Sequence, residues 1–268
     1  MELIRYVPVG QYVPRASPLH GLDPRTKIVA TTVLMVVLFL APSFAGLGLF
    51  VAAILVLLIL GRIPIRFALQ GLRPAFFLVL LTVFLNTFFA GGDPTPEMFR
   101  FGPLVATVGG LRNGLFVGAR LLLLVALTSL LTFTTSPVEL THGLEALLRP
   151  FRRIGVPGDE LAMMMSIALR FIPTLFEETE RIIKAQMARG GSFDQGNVFR
   201  RAIAFVPVLV PLILSSFRRS EELAVAMEAR CYSSGAHRTR MKELRLRTAD
   251  AVATVVVVGA AAAVLLLR

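Results

Sequence analysis

Five apolar runs, at about 28–41, 44–60, 74–90, 114–133 and 249–267, constrain most strongly what this chain of 268 residues can become. A helix rises 1.5 Å per residue, so about 20 residues cross a hydrocarbon core about 30 Å thick. An ordinary soluble domain does not carry several runs of that length. The composition agrees, being 55% hydrophobic with a mean hydropathy of +0.73. The start, Met1 to Tyr12, lacks the long apolar core of a cleavable signal peptide, so the first run is expected to stay as a span. The expected fold class is an all-α polytopic membrane protein with about five transmembrane helices.

Only Ala41-Pro42-Ser43 separates the first two runs, which therefore read as a helical hairpin with an uncharged turn. Asp23 as N-cap and Pro24 at the first helical position start the first span, with Arg25 and Lys27 anchoring it at the headgroups. Arg62, Arg66 and Arg73 lie between the second and third runs, whereas the 91–113 loop balances Arg100 and Arg112 against Asp93 and Glu97. The positive-inside rule then places the N-terminus and the 61–73 loop in the cytoplasm. After the fourth span the chain is inside again, and the last span leaves Arg268 outside. Three segments follow: 1–135 with the first four spans, a cytoplasmic insert at 136–247, and a final span at 248–268. The insert holds 17 of the 28 basic residues and 12 of the 17 acidic ones. The net charge of +11 flanks apolar runs, so it points to topology and anionic lipid headgroups rather than to nucleic acid.

Two features inside the fourth run carry further signals. Arg120 either snorkels to the interface or makes an interhelical contact, because a bare charge at that depth is costly. Gly114 and Gly118 have the GxxxG spacing that permits close helix packing.

The insert reads as three helices. Ser136-Pro137-Val138-Glu139 has the form of a capping box, opening a helix to about Leu148 before Arg149-Pro150. A second helix starts after Gly155-Val156-Pro157-Gly158 and runs to Arg189, where Gly190-Gly191 stops it. A third is predicted from near Asn197 to about Cys231. The second and third are apolar in their first halves (Leu161 to Phe176, Ala202 to Phe217) and charged in their second. Sixteen apolar residues are short for a span, and Arg170, Pro207 and Pro211 argue further against crossing. These helices are therefore expected to lie along the cytoplasmic boundary; were both to cross, Arg189 would lie outside.

These two helices end alike, in Ala188-Arg189-Gly190 and Ala229-Arg230-Cys231. Superposing the endings also aligns Glu180 with Glu221 and Ala185 with Ala226, an internal repeat of forty-one residues. A single Arg there could simply complement the helix dipole, worth about 0.3–1 kcal/mol. Two, each beside small residues that leave the guanidinium unshielded, suit insertion into a pocket and bidentate pairing with a carboxylate.

The chain resembles, over nearly its whole length, the transmembrane coupling (T) component of energy-coupling-factor (ECF-type ABC) vitamin transporters. The resemblance rests on Gly10-Gln11-Tyr12-Val13-Pro14 followed by Ser17 to Lys27, on Thr135 to Leu140, on Leu169-Arg170-Phe171-Ile172-Pro173, on Ala185 to Gly190 and on Ala226 to Tyr232. It implies that the insert forms long coupling helices touching two cytoplasmic P-loop ATPase subunits, with one Ala-Arg motif docked in a groove of each. It further implies a small membrane-embedded substrate-binding (S) component as partner, a prokaryotic inner-membrane location, and ATP bound by the partners rather than by this chain. The ATPase-docking residues carried over are Ala188, Arg189, Gly190, Ala229, Arg230 and Cys231. Cys231 departs from the Gly or other small residue usual in the family, which puts a Gly-type helix stop there in question. The N-terminal signature looks most like T components shared among interchangeable S components.

No G-x-x-x-x-G-K-[ST] and no G-x-S-x-G occurs, and His20, His142 and His237 have no metal-ligand spacing. The single Cys, Cys231, excludes an intramolecular disulfide and a Cys-rich metal site. No catalytic residue, cofactor or metal is therefore expected. The alternatives are a polytopic membrane enzyme, which would need converging acidic or His residues, and a stand-alone permease, for which Asn86 and Arg120 are the main candidate lining residues.

Overall fold

The computed structural model describes residues 13, 15, 17–89, 96–101, 104–154, 158–191, 193, 199, 203–232 and 247–266. Asp93, Asn197, Ala202, His237, Arg268, residues 155–157 and residues 10–12 and 14 of the N-terminal signature lie outside them. The chain divides into two compact units, one within Val9–Leu147 and Leu244–Arg268, the other within Leu148–Glu243.

The first unit is built from α1 (Pro24–Leu40), α2 (Phe44–Leu60), α3 (Ile65–Phe89), α4 (Val108–Thr134), α5 (Pro137–Leu148) and the C-terminal α8 (Thr248–Leu266). The architecture is that of an all-α membrane protein. α3 and α4 are long and apolar enough to cross a bilayer, and α2 and α8 are shorter apolar helices. Leu34, Val37, Leu38, Phe50, Leu127 and Val264 meet in one buried core contributed by α1, α2, α4 and α8. An almost wholly apolar cleft between α2, α3 and α4 is lined by Ile54, Leu58, Leu69, Leu72, Leu123 and Phe133 among others.

The helix starts follow local chemistry. Asp23 caps α1 by accepting the Arg25 N–H at 2.9 Å, with Pro24 in the first turn. Ser43 caps α2 through Gly46 N–H. Ser136 and Glu139 exchange reciprocal hydrogen bonds of 3.1 and 3.2 Å at the start of α5, the capping box its sequence spells.

Three features differ from the sequence reading. α3 begins at Ile65, nine residues before its apolar run, because Arg66, Gln70 and Arg73 are helix formers that an apolar count passes over. α4 begins at Val108, capped by the Thr107 hydroxyl accepting Gly110 N–H at 3.0 Å, six residues before its apolar run opens at Gly114. Between them the segment read as a loop contains an antiparallel hairpin, β1 (Glu97–Phe101) with β2 (Leu104–Thr107).

Glycine decides how closely α3 and α4 approach. Gly110, Gly114 and Gly118 are all buried at their contact. A Cβ on Gly110 would lie 2.5 Å from the Asn86 carbonyl, and one on Gly114 would lie 3.1 Å from the Val83 backbone. The GxxxG spacing is thus part of a longer small-residue stripe that lets backbones touch. Arg120 takes the interhelical option: its guanidinium donates to the Ala41 carbonyl at 2.8 Å and lies 4.8 Å from the Phe116 ring centroid. Asn113 donates to the Asn86 side chain at 3.3 Å. Both residues singled out as permease candidates are therefore engaged in helix packing.

A buried polar node joins the ends of four helices. The Asp250 carboxylate, 2% exposed, accepts the backbone N–H of Asp23 at 2.8 Å and of Arg247 at 2.7 Å, tying the start of α8 to that of α1. Lys27 donates to the carbonyls of Thr134 and His20 at 2.9 and 3.2 Å, adding the end of α4. A Cβ on Gly143 of α5 would meet Pro24 at 2.9 Å, so α5 also packs on this node. His20 bridges Ser17 (2.6 Å) and the Val13 carbonyl (3.0 Å), giving the N-terminal signature a structural role.

Candidate functional site

The second unit contains a 3-10 turn (Arg149–Ile154), α6 (Gly158–Ala188) and α7 (Val206–Ala229). The continuous part of α7 starts at Val206; Phe199, Ile203 and Ala204 before it are also helical, and Asn197, where the sequence places the start of this third helix, lies outside the described residues. Phe205 occupies its N-cap, and Pro207 falls in the first turn, where the missing N–H would have had no helical acceptor.

The apolar halves of both helices present side chains outward. Val206, Leu209, Val210, Ile213, Leu214 and Phe217 recur along α7 at three- and four-residue spacing and are all exposed. Leu161, Met164, Met165 and Phe176 do the same on α6. Such stripes mark surfaces that meet lipid or another protein.

The two Ala-Arg endings have the same backbone. At the end of α6, Gly190 has φ +88° and donates to the Met187 carbonyl at 3.0 Å, while Gly191 donates to Gln186 at 2.9 Å. At the end of α7, Cys231 has φ +54° and donates to Glu228 at 2.9 Å, while Tyr232 donates to Met227 at 3.0 Å. Each is a Schellman stop, with the residue after the C-cap in the left-handed region. At Cys231 the stop forms without glycine, at a backbone cost of about 1–2 kcal/mol. Arg189 and Arg230 occupy the matching C-cap positions, where a cation also complements the exposed carbonyl end of the helix. Ala188, Arg189, Gly190, Ala229, Arg230 and Cys231 are all exposed, and Arg189 and Arg230 have no side-chain partner among the described residues.

The helices pack antiparallel. Near one end of the contact Gln186 Nε2 donates to the Pro207 carbonyl at 3.4 Å. In the middle Glu178 accepts two hydrogen bonds of 2.8 Å, from Ser215 Oγ and from Arg219 Nη2. Arg219 also lies 6.0 Å from the Phe171 ring centroid. Antiparallel packing sends the two Ala-Arg ends to opposite ends of the helix pair, so the structure separates the two motifs instead of assembling them into one pocket. The Glu178, Ser215 and Arg219 contact goes beyond what the sequence reading names. The forty-one-residue repeat contains its signal, since it sets Glu178 in register with Arg219.

Among the described residues no group of three or more His, Cys, Asp or Glu side chains could hold a metal ion. His142 pairs with Glu145 at 3.6 Å, one turn along α5.

Comparison with known proteins bears on the whole chain. Residues 15–242 match the family model described as cobalt transport protein, CbiQ. The chain is 52% identical over 250 residues to the energy-coupling factor transporter transmembrane protein EcfT of Thermosediminibacter oceani, covering 93% of each. It is 50% identical over 252 residues to the protein of that name from Clostridium kluyveri, covering 94% of this chain and 93% of the relative. With the one from Heliobacterium modesticaldum identity is 48% over 257 residues and 96% of each. An all-α membrane architecture, a family model matched over residues 15–242 and identity near one half over more than nine-tenths of each chain converge on one conclusion: the chain belongs to the family of energy-coupling factor transporter transmembrane proteins.

Proposed function

We propose that this chain is the non-catalytic coupling subunit of an ECF-type ABC importer in a prokaryotic inner membrane. It transmits ATP-driven motion of two cytoplasmic P-loop ATPases to a small membrane-embedded subunit that binds a vitamin or similar micronutrient. The observation that carries this reading is the pair of helix ends. Two exposed arginines, identically capped and without side-chain partners among the described residues, sit at opposite ends of one antiparallel helix pair. A pair of equivalent sockets separated in space, one on each of two ATPases, is what such a pair would fit.

The chemistry of docking follows from the side chains. A guanidinium with small neighbours enters a groove and forms a bidentate bond to a carboxylate, a strong charge-assisted contact once water is excluded. The outward apolar stripes of α6 and α7 supply the other half of the mechanism. They contact the bilayer and the substrate-binding subunit, so movement at the charged ends reaches the membrane through stiff helices. The distribution of Lys and Arg supports an N-terminus and a 136–247 insert on the cytoplasmic side, where ATPases reside. The N-terminal signature supports a module shared among several substrate-binding subunits.

The test is the double variant Arg189→Ala plus Arg230→Ala. Truncating one partner of a buried charge pair costs about 2–5 kcal/mol, so two such losses should abolish both recruitment of ATPases to membranes and uptake. Normal copurification and transport in that variant would exclude the proposal. Affinity purification in mild detergent should bring down two P-loop ATPases and a small hydrophobic protein. Transport in liposomes by this chain alone would instead favour a permease.

A further inference from the structure

We infer that Glu178 and Arg219 form the fulcrum of the α6–α7 pair, a positioning contact that converts movement at the docked ends into transport. The inference rests on the coupling role proposed above and adds a residue pair to which that role assigns nothing.

From Met165 to its end, each residue of α6 has an equivalent on α7 forty-one positions later, and Arg189 has Arg230. When two equivalent helices pack antiparallel, the operation relating them is a local two-fold axis perpendicular to both. Contacts away from the axis come in pairs, whereas a residue touching its own equivalent must lie beside the axis. Glu178 and Arg219 are forty-one residues apart and joined at 2.8 Å. They are therefore the self-matching contact, and they mark the centre of the pair.

Two consequences follow. The arms are equal, because Arg189 lies as far beyond Glu178 as Arg230 lies beyond Arg219. At 1.5 Å per residue each arm is about 16 Å, and antiparallel packing points the arms in opposite directions. Identical acidic residues at an axis would oppose like charges; here the repeat places an acid against a base, which turns the meeting point into an attraction. Ser215 adds a second donor to the same carboxylate at 2.8 Å, so both oxygens of Glu178 are held from α7.

The character of the contact suits a pivot. The side chains of Arg219 and Glu178 are 31% and 28% exposed, so water reaches them and the pair can reorient without leaving a dry, unpaired charge. Packing like that of α3 on α4, where Gly110 leaves no room for a methyl group, fixes both distance and angle. A carboxylate held by a long guanidinium and a hydroxyl fixes the meeting point and leaves the angle adjustable.

The experiment uses the complete complex, with its ATPases and substrate-binding subunit, reconstituted in liposomes. Glu178→Gln, Arg219→Gln and the exchanged pair Glu178→Arg with Arg219→Glu are compared for ATPase copurification, ATP turnover and uptake per ATP. Each single variant should keep copurification within about twofold and lose about tenfold in uptake per ATP. The exchanged pair should recover most of that loss, which a merely structural role would not predict if assembly is unchanged throughout. Singles with unaltered uptake per ATP would overturn the inference. So would singles that lose ATPase recruitment, since the pair would then belong to docking. An exchanged pair that assembles and couples no better than the singles would overturn it as well. Failure of the coupling role itself appears elsewhere, as normal recruitment when Arg189 and Arg230 are both truncated.

Discussion

The end of α6 and the end of α7 share one backbone, and their Ala-Arg tripeptides differ in one residue. Both stop in a Schellman motif with Arg at the C-cap, yet Gly190 enters the left-handed region without hindrance while Cys231 must be forced into it. Nothing lies within 4 Å of a Cβ built on Gly190, so the difference is one of backbone conformation alone, not of crowding. Geometry that persists despite an unfavourable residue is geometry required by something. The requirement we propose is presentation of Arg230 in the manner of Arg189, and the Cys231 end carries a strain that the Gly190 end does not.

Removing what the two ends have in common should have the largest effect. Arg189→Ala with Arg230→Ala should reduce uptake to background and strip the ATPases from purified membranes. Each single truncation should do less, since one docked end remains. A drop in ATPase affinity by about one to three orders of magnitude is expected for a lost charge pair, measured by binding of purified ATPases to the detergent-solubilised chain. Equal losses from the two singles would mean equivalent sockets; unequal losses would mean that the sockets differ as Gly190 and Cys231 do.

Exchanging the residue that differs should have a smaller effect. Gly190→Ala should weaken the first stop by about 1–2 kcal/mol, and Cys231→Gly should strengthen the second by a similar amount. Hydrogen exchange should then quicken at Gly191 in the first variant and slow at Tyr232 in the second, because those amides close the two motifs. Uptake should change by no more than a few-fold in either. The smallest perturbation uses Cys231 as a reporter, since it is exposed and the chain has no other Cys. Maleimide labelling should be rapid in the isolated chain and slowed when the ATPases are bound. Labelling that ignores them would place the α7 end outside the docking contact.

Much of the molecule is legible in its amino-acid sequence. The Asp23-Pro24 start of α1, the Ser136–Glu139 capping box and the Gly190 stop depend on residues within one turn of each other, and each appears where its residues stand. The sequence misleads where polar residues mask periodicity. Arg66, Gln70 and Arg73 hide the first turns of α3. The hairpin between Glu97 and Thr107 escapes a sequence reading because short strands leave little pattern. Arg120 is ambiguous because a charge in an apolar run does not name its partner; Ala41 supplies it from seventy-nine residues away.

The class of this protein is written in its residue order: membrane helices, two equivalent charged endings and the motifs of the family to which they belong. Such properties come from hydropathy and capping, which act over a few residues and need no distant partner. Long-range packing is what brings Asp250 across to Asp23, completes the second stop at Cys231, and lays α6 and α7 antiparallel at Glu178 and Arg219. The repeat set those last two residues in register, but register alone is silent on contact. Whether equivalent positions touch depends on how two helices are laid together, and that is settled by packing across the whole pair.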